Sequence, residues 1–208
     1  MKSKFLAMMV GVALSAASGI ACAQFGGMKL PGIGGDSAAS SVSSEQIVKS
    51  YVGGARDVNS ADVKMLTAVG LKDEAAKAEL AGKNLTEGAT TDSLKESNQV
   101  QTDSSKALEA KFKDQKVEMD AASKKKFSDG MADLGRGIIK YVGMGKEAQG
   151  FKPSPTAIGA STNSALFIVK SLPDSIKNLG STLKSSIDFA KTNNIPVPKE
   201  ASDATSMI

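Results

Sequence analysis

Apolar residues recur at helical spacing through most of this chain, and no stretch alternates convincingly as strands do. Ile47, Tyr51, Ala55, Val58, Met65 and Val69 form one stripe. Ser43 with Gln46 makes a capping box in front of it, and Gly70 is a plausible C′ stop. The pattern predicts a first helix from Ser43 or Ser44 to about Gly70, weakened by Gly53 and Gly54. A second helix is expected from Lys72 to about Leu85. Its thin apolar side is Leu71, Ala75, Ala78 and Leu80 or Ala81, with Asp73/Lys77 and Glu79/Lys83 as i,i+4 pairs.

A third helix is predicted from Thr91 to Met119. Its first half offers only Leu94 and Val100 to a core, so it either packs by one narrow seam or projects from the domain. Leu108, Phe112 and Met119 improve the second half, beside a Glu109/Lys113 pair. The fourth helix, about Ala121 to Gln149, presents Phe127, Met131, Leu134, Ile138, Tyr141 and Val142. It also carries Gly130, Gly135, Gly137, Gly143 and Gly145. Interior glycines cost roughly 0.5–1 kcal/mol each relative to alanine. They imply close helix crossings, a break near Gly143, or a helix that rearranges on meeting a membrane or partner.

Ser154-Pro155 reads as N-cap and N1 of a further helix over Thr156–Leu172. Pro173 then opens a last helix with Asp174 in its first turn and Ile176, Leu179, Leu183, Ile187 and Ala190 on its apolar face. Asn193 or Asn194 ends it in the left-handed conformation, and Pro196 and Pro198 prevent continuation. The fold class is therefore all-α: an antiparallel bundle of about five or six helices with a flexible N-terminal linker. Residues 44–195 form the bundle and 196–208 a loose C-terminal tail.

The first 43 residues have a different pattern. Lys2 and Lys4 precede an uncharged, mostly apolar run from Phe5 to Ile20, and Ala21-Cys22-Ala23 offers small residues for cleavage before Gln24. This is the pattern of a bacterial export signal over residues 1–23. Residues 24–43, rich in glycine and serine around Pro31, read as a flexible linker. Cleavage after Ala23 gives a soluble periplasmic or secreted product. The alternative is a lipoprotein anchored through Cys22, although Gly19 stands where a typical lipobox has leucine.

Composition narrows the chemistry. Cys22 is the only cysteine, and the chain has no histidine. Past Ala23 this excludes disulfides, thiolate nucleophiles, histidine bases and imidazole-bound zinc. Losing Lys2 and Lys4 leaves 24 basic and 22 acidic residues, a net charge of +2 in place of +4. Near-neutrality and export both argue against nucleic acid as a partner.

The remaining constellations are weak. Lys124-Lys125-Lys126 reads as a solvated face, with Asp129 partly neutralising it. Asp129 and Asp133 sit one turn apart, and Lys125 and Arg136 make surface ion pairing the expected role. GMGKEAQG at 143–150 lacks the phosphate-loop pattern, because Lys140 and Glu147 occupy the required glycine and hydroxyl positions. No S-x-x-K pattern is distinctive. No catalytic, cofactor-binding or metal-binding residues are assigned. The expected function is that of an exported, non-enzymatic helical interaction or envelope-associated protein, its partner an envelope protein or lipid. A membrane-active or lipid-binding protein is the alternative, and a hydrolase without histidine the third.

Overall fold

The computed structural model describes residues 42–114, 117–153 and 159–208. The chain divides into one unit of residues 1–37, which lies outside the described residues, and another of residues 38–208. Six helices and no strands occur among the described residues of the second unit: α1 (Ser44–Ala68), α2 (Lys72–Asn84), α3 (Thr91–Phe112), α4 (Ala121–Ala148), α5 (Ala160–Thr192) and α6 (Lys199–Thr205). The fold is all-α. Residues 1–23 with Cys22, read as an export signal, nearly all of residues 24–43, read as a linker, and Ser154-Pro155, read as a cap, lie outside the described residues.

Local sequence sets most helix ends. Ser43 Oγ accepts the Gln46 N–H at 3.2 Å and starts α1. Gly70, at φ +87°, ends it. The Leu71 N–H reaches Leu66 O and the Gly70 N–H reaches Thr67 O, the paired bonds of a Schellman turn. Asn194, at φ 52°, repeats this after α5, with the Ile195 N–H on Ala190 O. Asp120 caps α4 by accepting the Ser123 N–H at 2.7 Å, a bond that holds its carboxyl below the usual range.

α1 and α4 form the most extensive helix contact. Along it, Gly54 meets Tyr141, Gly137 meets Val58, and Gly130 meets Ala61 and Met65. The partners descend along α4 as they ascend along α1, so this pair runs in opposite directions. The glycines serve close crossing, and α4 continues unbroken through Gly143.

Several expectations are corrected. The segment 160–192 is one helix with Pro173 inside it, not two helices meeting there. Ala165, Ile168, Leu172, Leu179, Leu183 and Ala190 are buried along it and Ile176 partly so, which makes one unbroken stripe. Pro173 itself is exposed, so the Val169 carbonyl it leaves without a donor lies toward the solvent side. Burial along the whole stripe outweighs a proline on the outer face.

α3 stops at Phe112, short of Met119, because the chain must turn back to the Asp120 cap. Phe112 stacks on Phe189 there, with ring centroids 4.6 Å apart. The Glu109/Lys113 and Asp73/Lys77 pairs do not form; Lys111 pairs with Asp114 at 3.4 Å, and Glu79 with Lys83 at 2.5 Å. Ala81 rather than Leu80 faces the core from α2. Residues 199–205, expected within a loose tail, are a helix that buries Ala201 and Ala204.

Candidate functional site

The polar first half of α3 packs against the core through its polar groups. Leu94, Ser97, Gln101, Ser104, Ser105 and Leu108 are buried on it at helical spacing. Opposite them α1 buries Tyr51, Asn59 and Asp62, and α4 buries Tyr141. The Tyr51 and Tyr141 rings stack with centroids 5.1 Å apart and planes 11° apart. The Tyr51 hydroxyl donates to Asn98 Oδ1. Burial pushes the Tyr51 phenol up to about 12 and raises that of Tyr141 well above its usual range. The Tyr141 hydroxyl stands beside Tyr51 and Gln101 without a well-formed hydrogen bond.

Asp62 is 1 % exposed, and its Oδ2 has no hydrogen-bond partner among the described residues. Burial raises its pKa well above the ordinary carboxylate value, against a smaller lowering by the Ser104 hydroxyl. A carboxyl without a counter-charge in such a place favours its neutral form. The Gln101 amide reaches Asn59 Oδ1 and Ser97 Oγ at 3.5 Å each, both long bonds. The seam is polar, buried and only partly satisfied.

On its outer side the seam meets a polar cleft of about 130 Å³ between α3 and α5. Gln101 and Ser105 line it from α3, and Ser171, Asp174, Ser175 and Asn178 from α5. Sequence reading missed this feature. The available signal was the run of serine, asparagine and glutamine at core-facing positions of α3, which is informative only once a second polar stripe is known to face it.

Asp133 is the second organised group. The surface role expected for it is corrected: its side chain is 5 % exposed. Ser60 Oγ and Lys64 Nζ both donate to Asp133 Oδ2 at 2.5 Å, and Arg136 binds the other oxygen. Arg136 also reaches Glu200 of α6 at 3.7 Å. Ser60 and Lys64 are one turn apart on α1, in S-x-x-x-K rather than S-x-x-K spacing. An ammonium held by a carboxylate has no lone pair to accept the hydroxyl proton, so this arrangement is an anchor. Asp129 does pair on the surface, with Lys125 at 2.7 Å, and this bond lowers its pKa. Asp129 and Asp133 are not brought together as a catalytic pair.

Of the three consecutive lysines, Lys124 donates to Asn193 O at 2.8 Å, where a cation favours the end of α5. Residues 143–148 are helical, so the glycine-rich segment forms no phosphate loop there. Among the described residues no group of three or more acidic, histidine or cysteine side chains is arranged to hold a metal ion. Among them also, no helix is long and apolar enough to cross a membrane.

A wide groove of about 670 Å³ runs along the C-terminal ends of α3 and α5 beside Phe112 and Phe189. A further groove, about 410 Å³, lies between α4 and α5, where Val142, Leu172 and Ile176 adjoin Met207 and Ile208. Comparison with known proteins gives no match: no family model fits the chain, and no curated sequence or solved structure is significantly similar to it.

Proposed function

We propose that this chain is an exported, non-enzymatic helical protein that acts by binding a partner at the bacterial envelope. Its helices are read as an antiparallel bundle carried behind a flexible N-terminal linker. The observation that carries the reading is the use made of Ser60 and Lys64. They stand one helical turn apart on α1, and both are committed to Asp133. The export-signal pattern at residues 1–23 supplies the compartment.

Intact mass of the protein from its native host tests the address. A chain starting at Gln24 is the expected product, and a diacylated Cys22 makes it an anchored lipoprotein. Pull-down from envelope extract then identifies the partner. Reproducible hydrolase activity lost on a single serine or aspartate substitution overturns the non-enzymatic reading.

A second reading, lipid binding, is favoured by the groove between α4 and α5. Its apolar walls are covered by Met207 and Ile208, which remain 43 % and 38 % exposed. Co-sedimentation with anionic or zwitterionic vesicles tests it, and absence of binding to both counts against it.

A further inference from the structure

Among the described residues three large apolar side chains are exposed: Leu80, Met207 and Ile208. The last two are adjacent and line the groove between α4 and α5 together with Val142, Leu172 and Ile176. A single exposed apolar side chain is ordinary, but two side by side on an apolar groove form a patch. The pair has a fixed seat. The Met207 N–H donates to Ala204 O at 3.0 Å. Ile208 lies so close to Gly180 of α5 that a Cβ there would fall 2.6 Å from its Cδ1.

Cations without counter-charges flank this patch. Lys177 and Lys184 stand one turn before and one turn after Gly180, and Lys146 lines the groove from α4. All three are exposed, and none has an ion pair among the described residues. Lys125, Lys140 and Lys199, by contrast, each hold a carboxylate. Glu147 follows Lys146 directly, and adjacent residues of a helix do not face each other. Lys170 and Lys191 extend the line, so lysine recurs at every seventh residue of α5, a spacing that holds one narrow stripe. Asp174 and Asp188, the acidic residues of α5, offset only half of that charge.

We infer that this face of α4 and α5 docks the protein on an anionic lipid bilayer, with Met207 and Ile208 entering the headgroup region and Lys146, Lys177 and Lys184 meeting lipid phosphates. The inference rests on the lipid-binding reading above and names its lipid class and its mode. Apolar side chains gain by leaving water for the membrane interface, and lysines beside them gain from anionic headgroups. Two side chains bury little area, so the apolar pair needs the lysines, and the lysines alone are screened by salt. The combination fits a surface that is negative outside and apolar just beneath. A free anion or an acidic peptide supplies only the first of these.

The test is co-sedimentation of the chain from Gln24 to Ile208 with vesicles of phosphatidylcholine alone and of phosphatidylcholine mixed equally with phosphatidylglycerol. The expected partition is about tenfold or more stronger onto the anionic vesicles and falls as salt rises. Lys146→Gln, Lys177→Gln and Lys184→Gln combined lower it by about tenfold or more, since one lysine near the surface is worth about fivefold. Lys72→Gln, Lys77→Gln and Lys106→Gln combined remove the same charge elsewhere and lower it by less than about threefold. Met207→Ser with Ile208→Ser lowers it by about tenfold, and Leu80→Ser binds as the parent does. All of these positions are exposed, so the substitutions leave the core intact. Equal losses from the two lysine triples overturn the docking face, as does undiminished binding by Met207→Ser with Ile208→Ser. Equal, salt-insensitive binding to both vesicles overturns anionic docking and leaves lipid binding standing. No binding to either overturns both.

Discussion

Lys64 of α1 and Asp133 of α4 meet at 2.5 Å, with the carboxylate side chain 5 % exposed and the lysine side chain 38 %. The contact joins the two helices of the largest interface, and Arg136 extends it to Glu200 of α6. The two partners are unequal. Asp133 serves three donors, whereas Lys64 serves one acceptor and keeps contact with water.

Replacing Asp133 therefore costs more than replacing Lys64. Asp133→Ala leaves Ser60, Lys64 and Arg136 without their common acceptor and destabilises by about 1–3 kcal/mol. Lys64→Ala costs less than about 1 kcal/mol, because a half-exposed ion pair contributes little and two donors remain on Asp133. Urea unfolding of both variants checks the order. A Lys64→Ala loss as large as that of Asp133→Ala overturns the reading of Asp133 as the centre of the anchor.

Two glycines on α4 respond to alanine with opposite signs. A Cβ at Gly135 falls 2.4 Å from the Glu200 carbonyl oxygen and 2.8 Å from the Ala201 nitrogen. Backbone cannot move aside as a flexible side chain does, so Gly135→Ala displaces α6 and costs about 1–3 kcal/mol despite better helix propensity. Gly143 has nothing within 4 Å, so Gly143→Ala gains roughly 0.5–1 kcal/mol. Thermal unfolding distinguishes them: Gly143→Ala melts higher than the parent and Gly135→Ala lower.

Asp62 makes stability fall as pH rises. Its native pKa is raised by burial, so above the unfolded-state value near 3.8 the unfolded chain has lost a proton that the native chain retains. Native-state stability from this group is greatest below that value. It declines by about 1.4 kcal/mol per pH unit until the native carboxyl ionises. Asp62→Asn has no such proton, so its advantage over the parent widens from pH 4 upward. Denaturant titrations at several pH values measure the difference. A parent-minus-variant difference independent of pH rules out a buried neutral Asp62.

Pro173 sits on the exposed side of a continuous helix. Pro173→Ala restores an N–H for the Val169 carbonyl and relieves the ring's clash with that turn. The expected gain is about 1–3 kcal/mol, the lower end applying where water already reaches the carbonyl. Unfolding by urea measures it. A loss of stability means that the proline fixes a bend the core requires.

The sequence by itself determined α1 to α4 and the end of α5, with most of their caps. Ser43, Gly70 and Asn194 act within a few residues of themselves, through caps and left-handed turns whose geometry is local. The core stripes of α1, α4 and the end of α5 were legible for the same reason, since periodicity is a property of one helix. Only tertiary structure decided that Pro173 lies inside a helix, because the stripe on both sides of it gains its energy from α1, α3 and α4. It alone buried Asp133, whose partner Lys64 is 69 residues away. It alone set the polar stripes of α3 and α5 face to face across a cleft. A polar side chain reads the same in sequence whether it meets water or another helix, and its energetics depend on which of the two it meets.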